Sequence, residues 1–267
     1  MRTKGEFLLK QEMMTVLAQR QLAPNIFKLT LQGNLVTEMK TPGQFLHIKV
    51  PRGDLLLRRP ISINAIDQEN ATCQLIYRIE GAGTRVFSKL TAGDTLDVLG
   101  PLGNGFDLSD VQSGDTVYLV GGGIGVPPLY ELSRQIKKLG AKPVHFFGFA
   151  TKEVVYDKEL FEELGDCYWA TDDGSLGTKG HVGTLLMKYQ GEKPAAVFAC
   201  GNTGLLKTVD QLFQNHPNAQ LSLEARMACG IGACYGCVCH VAGDETGTKS
   251  VKVCDEGPVF PVGKVVF

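Results

Sequence analysis

The segment TVYLVGGGIGVPPLYELSRQIKKLG, residues 116–140, decides the fold class of the 267-residue chain. An apolar run, TVYLV, leads into a glycine-rich turn, GGGIGVPP, and then into a stretch of helical periodicity that ends at Gly140. Glycine allows close approach of a backbone, and proline is favoured in the first turn of a helix. This order predicts a β-strand that turns directly into a helix, with free main-chain amides at the turn.

Apolar strands alternate with helical segments on the carboxyl side of this unit. The predicted strands are VHFFGFA (144–150), DCYWATDD (166–173) and AAVFACG (195–201). Such alternation indicates a parallel sheet, so we predict a Rossmann-like α/β nucleotide domain over residues 107–220. Cys200 ends the last of these strands, at the edge where a parallel sheet exposes its ligand crevice.

The glycine-rich turn has the pattern G-x-G-x-x-P in place of the full dinucleotide fingerprint G-x-G-x-x-G. It also lacks the Gly-Lys-Ser/Thr of a nucleoside-triphosphate loop. Its amides and the helix that follows could face a pyrophosphate, and the alternative is a tight turn that binds nothing.

Short segments of period two fill the chain from the N-terminus to about Phe106. They are IFKLTL (26–31), FLHIKV (45–50), ISINAI (61–66), CQLIYRI (73–79) and TLDVL (95–99). Turn sequences separate them at the spacing of an antiparallel barrel, which we predict over residues 1–106. The Gly- and Asp-rich residues 100–115 are the predicted boundary with the nucleotide domain.

Two motifs in the predicted barrel could meet an anion. Arg58 and Arg59 precede Pro-Ile-Ser in a strand, and GAGTR (81–85) is a second predicted glycine-rich turn. Arginine can bind a pyrophosphate through two N–H groups, and a serine hydroxyl in a strand can reach a flavin ring nitrogen. The alternative is an exposed edge arginine and an ordinary turn.

Four of the eight cysteines lie in MACGIGACYGCVCH, residues 227–240. Cys229, Cys234 and Cys237, followed by the distant Cys254, have the C-x4-C-x2-C…C spacing of the plant-type ferredoxin cluster. We therefore predict a small 2Fe-2S domain over residues 221–267. The runs SVKVC (250–254) and GKVVF (263–267) are the predicted β-like segments of this domain.

Other assignments of the cysteines compete with this one. Structural zinc sites usually pair two short C-x2-4-C units, and only one is present. Cys239 is the alternative fourth ligand, but a tight loop that supplies three thiolates is poorly placed to reach the remaining corner of a cluster. A returning strand that ends at Cys254 is better placed, and Cys239 is then predicted to be a small buried apolar residue.

Composition excludes several classes of partner. The net charge is −1, with 27 basic and 28 acidic side chains, so no single-sign surface indicates nucleic acid or an anionic membrane. No apolar run approaches the ~18 residues of a membrane span, and the first twenty residues lack the features of a signal peptide. We expect a cytosolic protein, in which clustered cysteines are ligands and not disulfides.

The combination resembles the ferredoxin-NADP reductase superfamily and, within it, the electron transfer subunits of the class 1B, NAD-dependent dihydroorotate dehydrogenases. RRPISI, YRIEGAGT, GPLGNGF, GGGIGVPPLYEL, TDDGSLGTKGHVG and EARMACGIGACYGCVC carry the resemblance and cover essentially the whole chain. Two departures are Pro60-Ile61, where the superfamily usually has an aromatic residue, and Asn202, where a Cys-Gly-Pro motif has proline.

The resemblance implies three binding sites. FAD is implied at Arg59, Pro60, Ile61, Ser62, Ile76, Tyr77, Arg78, Gly83 and Thr84. The 2Fe-2S cluster is implied at Cys229, Cys234, Cys237 and Cys254. NAD, as an exchanging co-substrate, is predicted to contact Gly121, Gly122, Gly123, Gly125 and Cys200.

Electron counting orders these groups. A nicotinamide exchanges a hydride, a cluster exchanges single electrons, and a flavin does both, so FAD is expected between them. The chain shows no constellation for proton abstraction from an organic substrate, so no catalytic residue is predicted and the substrate site is expected on a partner.

The resemblance implies that this partner is an FMN-containing catalytic subunit that oxidises dihydroorotate in pyrimidine (UMP) biosynthesis, in a heterotetramer with two copies of each subunit. Electrons would then pass from dihydroorotate through FMN, the cluster and FAD to NAD. The alternatives are the reductase subunit of another NAD(P)H-linked ferredoxin or sulfide oxidoreductase, and a zinc-stabilised interaction module.

Overall fold

The N-terminal part of the chain is a closed antiparallel barrel. The computed structural model describes residues 9–189 and 191–267. The barrel strands are β1 (Gln11–Ala23), β2 (Ile26–Gln32), β3 (Phe45–Ile48), β4 (Arg59–Asp67), β5 (Thr72–Arg78) and β6 (Thr95–Leu102). They close in the order β1-β2-β5-β4-β3-β6, which confirms the predicted barrel. Residues 1–8, which the sequence analysis assigned to the barrel domain and examined for a signal peptide, lie outside the described residues.

Strand β3 is buried on both of its faces. Successive side chains of a strand point to opposite sides. Leu46 and Ile48 lie in the barrel core, whereas Phe45 packs in a second core shared with the nucleotide sheet and the C-terminal segment. His47 is two residues from Phe45, so its side chain points to the same side of the strand, and it is fully buried. Through this outward face, β3 connects the barrel to the cysteine segment.

The predicted glycine-rich turn at residues 81–85 is wrong, because these residues begin a short helix, α1 (Ala82–Phe87). The Thr84 hydroxyl accepts the N–H groups of Glu80 and Gly81 at 3.0 and 3.3 Å and so satisfies donors at the start of the helix. Phe87 at its end is fully buried in the barrel core. One hydroxyl and one apolar anchor therefore stabilise a helix where the glycines predict a turn.

The central part is a mainly parallel sheet covered by helices, as predicted. Its strands are β7 (Thr116–Gly122), β8 (Lys142–Phe149), β9 (Asp166–Thr171), β10 (Thr178–Lys179), β11 (Ala196–Cys200) and β12 (Ala219–Ser222). Its helices are α2 (Pro128–Lys138), α3 (Lys158–Glu162), α4 (Val182–Leu186) and α5 (Thr203–Leu212). Helix α2 begins at a proline and is followed by Gly140 with φ +82°, so both predicted end signals act.

The C-terminal segment contributes the hairpin β13 (Val238–His240) and β14 (Ser250–Lys252) and a further strand, β15 (Val259–Pro261). Strand β15 pairs antiparallel with β12, and the complete sheet has the order β10-β9-β8-β7-β11-β12-β15. The predicted run 250–254 is a strand only as far as Lys252. The predicted run 263–267 is wrong, because Gly263 turns with φ +70° and only Val265 forms an isolated bridge, to Val241.

Polar contacts join the three parts. The Lys28 ammonium of β2 lies 2.7 Å from the Asp157 carboxylate before α3, and both side chains are almost fully buried. On the other side, the Asn104 amide donates to the carbonyls of Glu256 and Val259 at 2.9 and 3.1 Å. Within the described ranges, the chain forms no helix with the length and apolarity needed to cross a bilayer.

Candidate functional site

The four predicted cluster ligands lie in two pairs. The Cys229 thiol is beside that of Cys234, and the Cys237 thiol is beside that of Cys254. The loop before β13 provides the first three sulfurs, and the turn directly after β14 provides Cys254. A two-iron cluster takes two protein ligands at each iron, so this donor set fits the group.

Main-chain N–H groups already point at all four sulfurs. The contacts are Ile231 to Cys229 at 3.4 Å, Gly236 to Cys234 at 3.4 Å, Cys254 to Cys237 at 3.4 Å and Gly232 to Cys254 at 3.1 Å. Gly230 and Gly232 have φ +74° and +77°, a region that favours glycine. The N–H dipoles stabilise negative charge on thiolates and on the group they ligate.

The thiols differ in acidity. Burial alone would raise the pKa of Cys229, but the N–H of Ile231 and the neighbouring Cys234 thiol lower this pKa to about 7. Burial, followed by the proximity of Cys237, raises the pKa of Cys254 to about 12. If Cys254 were to bind iron, its thiol would have to lose the proton that it keeps at neutral pH.

The arrangement differs from a single-ion site. Across residues 9–189 and 191–267, no three His, Cys, Asp or Glu side chains converge as the ligands of one metal ion do. A structural zinc ion requires four such ligands around one centre. Cys239 lies on β13 outside the two pairs, half-buried against the core shared with the nucleotide sheet.

Two of the predicted flavin motifs meet in space. The Arg59 side chain of β4 crosses Gly83 of α1 so closely that a Cβ there would be 2.5 Å from Arg59 Nε. Arg59 Nη1 donates to the Leu57 carbonyl at 2.6 Å. Residues 59–62 are all half-buried, whereas the next two residues of β4 are buried. A partly open strand with an oriented guanidinium fits the pyrophosphate of a dinucleotide.

The adjacent arginine has another role. Arg58 Nη2 donates to the Asp97 carboxylate at 2.9 Å, and Nη1 donates to the carbonyls of Asp97 and His47 at 2.9 and 3.2 Å. These bonds join β4 to β3 and β6, so Arg58 is committed to the barrel. Only Arg59 of the pair is left for a ligand.

The predicted flavin contacts on β5 differ in what they can offer. Tyr77 points into the barrel core and donates its hydroxyl to Gln19 at 2.7 Å, so only its main chain faces outward. Ile76 is buried between the barrel and the nucleotide domain. Arg78 is exposed and forms an ion pair with Glu80.

In the glycine-rich segment at the end of β7, Gly121, Gly122 and Gly125 pack against the chain, whereas Gly123 does not. A Cβ on Gly121 or Gly122 would meet core side chains at 2.9 and 2.7 Å, and a Cβ on Gly125 would lie 2.5 Å from the Cys200 carbonyl. At Gly123, where φ is +51°, a Cβ would point into open space. The structure thus brings Gly125 and Cys200 together and leaves the space beside Gly123 open to a ligand.

Three residues near these sites were missed by the sequence analysis. Tyr156 is buried and donates its hydroxyl to the Gly123 carbonyl at 2.7 Å, and no motif marks it. Asn202 caps α5 by accepting the Leu205 N–H at 2.9 Å. His47 belongs to no motif, although a polar residue on the same side of an apolar strand as Phe45 is a signal.

An antiparallel barrel followed by a parallel nucleotide sheet is the ferredoxin-NADP reductase-like fold, here with an added iron–sulfur segment. One chain of the solved NADH-dependent reduced ferredoxin-NADP oxidoreductase matches with TM-score 0.84 and 26% identity, over 96% of this chain and 90% of that chain. A ferredoxin NADP+ reductase from Neisseria gonorrhoeae matches in fold with TM-score 0.64 and 17% identity, over 78% and 92% of the two chains.

Sequence comparisons are more specific. A family model described as "Oxidoreductase FAD-binding domain" matches residues 14–106, and one described as "Iron-sulfur cluster binding domain of dihydroorotate dehydrogenase B" matches residues 224–266. The dihydroorotate dehydrogenase B (NAD(+)) electron transfer subunit of Enterococcus faecalis is 62% identical, over 97% of this chain and 99% of the relative. That of Streptococcus thermophilus is 51% identical over 96% and 98%. The chain belongs to the family of electron transfer subunits of dihydroorotate dehydrogenase B.

Proposed function

We propose that this chain transfers electrons between the catalytic subunit of an NAD+-dependent dihydroorotate dehydrogenase and NAD+, with a 2Fe-2S cluster and FAD as its bound cofactors. The observation that carries the proposal is the pairing of the four cysteine sulfurs with four inward N–H groups. Family membership supplies the partner enzyme and the nucleotide. FAD supplies exchange of a hydride with a nicotinamide and of single electrons with a cluster.

The chain's own residues supply binding and orientation. Arg59 is fixed through Nη1, which donates to the carbonyls of Leu57 and Arg58, and its Nε and Nη2 groups are left for a pyrophosphate. The cluster loop holds its ligands through glycines that aim amides at sulfur. The turn at Gly123 is the proposed entry for the NAD+ pyrophosphate, since a Cβ at this glycine would meet no neighbouring atom.

Cys200 is proposed as a neutral contact to the nicotinamide end of NAD+. Burial raises the pKa of its thiol to about 12, so the group stays protonated at neutral pH. A protonated thiol neither attacks carbon nor accepts a proton readily. Its role in this proposal is therefore to shape the crevice at the end of β11.

Apolar side chains around the cluster loop are the proposed contact with the catalytic subunit. Ile231 is 43% exposed, Tyr235 64% and Val238 42%, and all three flank the ligand cysteines. Grouped exposed apolar residues are typical of a protein-binding surface.

We propose that the partner contains FMN and that two copies of each subunit assemble. We also propose that the complex is cytosolic, where cysteines stay reduced.

The test is co-expression of the chain with the catalytic subunit from the same source, followed by purification of the complex. We expect one FAD, two irons and two acid-labile sulfides per chain, and reduction of NAD+ by dihydroorotate only when both subunits are present. Stoichiometric zinc without acid-labile sulfide would contradict the cluster. A chain that carries both cofactors and reduces a ferredoxin, yet never couples to dihydroorotate, would favour another oxidoreductase complex.

A further inference from the structure

His47 is buried without a hydrogen-bond partner. Its side chain lies on the outward face of β3 and has no exposed surface. Neither Nδ1 nor Nε2 forms a hydrogen bond within the described chain. A neutral imidazole always carries one N–H, and leaving it unsatisfied in the interior costs free energy. The residue therefore has hydrogen-bonding groups that no other group of the described chain satisfies.

The imidazole lies between two functional segments. A Cβ built on Gly230 would be 2.4 Å from His47 Nδ1, so the ring packs directly on the cluster loop. The main chains of Cys229 and Arg58 lie near the ring, although neither meets hydrogen-bond geometry. Cys229 is the first cluster ligand of the chain, and Arg58 precedes the arginine of the flavin motif.

A second buried histidine shows what an ordinary structural role looks like here. His145 on β8 also has no exposed surface. Its Nε2 pairs with the Ser133 hydroxyl at 2.8 Å, and its Nδ1 donates to the Asp166 carbonyl at 3.0 Å. Both nitrogens are satisfied within the nucleotide domain. The contrast shows that His47, unlike His145, is a buried imidazole whose hydrogen-bonding groups have no partner within the described chain.

We propose that His47 is a positioning residue for the cluster: its N–H bonds the main chain at Cys229 when the loop holds its metal. This bond fixes the loop against β3, which pairs with β4, the strand that carries Arg59. The inference rests on the proposed function, because it assumes that Cys229 is a cluster ligand. It assigns to one side chain the coupling between the flavin-binding strand and the cluster loop.

The test compares cluster lifetime with chain stability in His47→Leu and His47→Asn. In the full chain with FAD and cluster, we expect His47→Leu to speed iron release to a chelator about tenfold, because the N–H to the loop is lost. After cluster removal, the same variant should unfold at an unchanged or higher temperature, since an unsatisfied polar group has been replaced by an apolar one. His47→Asn retains an N–H near Nδ1, so iron release should return to within about threefold of wild type.

The matched control is His145→Leu, compared at an equal interval below its own unfolding midpoint. We expect this variant to lower the midpoint with and without the cluster and to leave iron release unchanged. The inference is overturned if His47→Leu releases iron at the wild-type rate, if His145→Leu speeds release equally, or if His47→Asn behaves like His47→Leu. Wild-type chain without iron would overturn the cluster assignment and this inference together, and it would be seen before any variant is compared.

Discussion

The cluster loop and the nucleotide turn are both rich in glycine, but their glycines face different surroundings. In the cluster loop, Gly230 packs on His47, and a Cβ on Gly232 would be 2.6 Å from an Asp255 carboxylate oxygen. In the nucleotide turn, Gly123 faces open space. Two glycines of the loop proposed for a resident group thus pack against their own chain, whereas one glycine of the turn proposed for an exchanging co-substrate faces open space.

The largest expected effect separates the cysteines of the C-terminal segment. Cys254→Ser should abolish the cluster's visible and paramagnetic signals, because a serine oxygen is a harder and poorer ligand for iron than a thiolate. Cys239→Ser is the matched control and should keep those signals, since Cys239 lies outside the two sulfur pairs. Both variants should retain FAD. With NADH as the electron donor, both should still reduce a dye that accepts electrons directly from the flavin. Survival of the cluster in Cys254→Ser and its loss in Cys239→Ser would show that the ligands are all local.

The next effect compares two glycines of the open turn. Gly125→Ala places a methyl group against the Cys200 carbonyl, and we expect the free energy of unfolding to fall by about 1–3 kcal/mol. Gly123→Ala meets no atom, so its cost is the left-handed conformation alone, roughly 1 kcal/mol. Denaturant unfolding measures both.

Gly123→Ala should also raise the KM for NADH, because its methyl group occupies the side that the turn leaves open. The FAD content should stay at the wild-type level. An unchanged KM would place the nucleotide elsewhere, and equal stability losses would remove the contrast between a packed and an open glycine.

A third prediction concerns the scaffold beneath the nucleotide turn, where His145 joins β8 to Ser133 of α2. Burial lowers the pKa of His145 from 6.5 to about 4, and this effect is larger than the opposing effects of the Asp166 carbonyl and carboxylate, which raise the pKa. The Cys167 thiol lies 3.3 Å from Nδ1. The unfolded chain therefore binds this proton at higher pH than the folded chain does. Stability is lost as the pH falls through 6.5 toward 4, by about 2 kcal/mol between about pH 7 and pH 5.

The free energy of unfolding of wild type and of His145→Gln is measured at both pH values. The contribution of His145 is the change between the two pH values in wild type minus the same change in the variant. The variant should be less stable near neutral pH and should lose less stability on acidification. An equal pH dependence in both chains would show that His145 is not buried in its neutral form.

The smallest effect tests the adjacent arginines. Arg59→Ala should weaken FAD binding roughly tenfold, because it removes charge-assisted hydrogen bonds to the ligand and little packing. Arg58→Ala is the control: it should lower the unfolding temperature by freeing Asp97 and should leave the FAD affinity of the folded chain near wild type. Flavin retention on dilution measures both. If Arg58→Ala lost FAD and Arg59→Ala retained it, Arg58 would be the residue that binds the FAD phosphates.

The sequence predicts the regular parts of the fold better than it predicts the irregular parts. Cysteine spacing and strand-turn-helix order are local patterns, and the relative order of domains follows from them. Strand β1 was not singled out because Met13 and Leu17 are exposed beside the buried Met14 and Val16, so its apolar residues do not alternate. Helix α1 depends on a hydroxyl contact of Thr84 and on the burial of Phe87. The role of His47 depends on contact between residues far apart in the chain, which no local pattern records.

Strand β15 has a consequence for how the chain can fail. It belongs to the cysteine segment, yet it pairs with β12 and forms one border of the nucleotide sheet. Without it, β12 would present a row of unpaired N–H and C=O groups, which is a template for aggregation. A chain shortened before Val259 should therefore self-associate, and the segment that holds the redox centre also protects its neighbour from amyloid-like pairing.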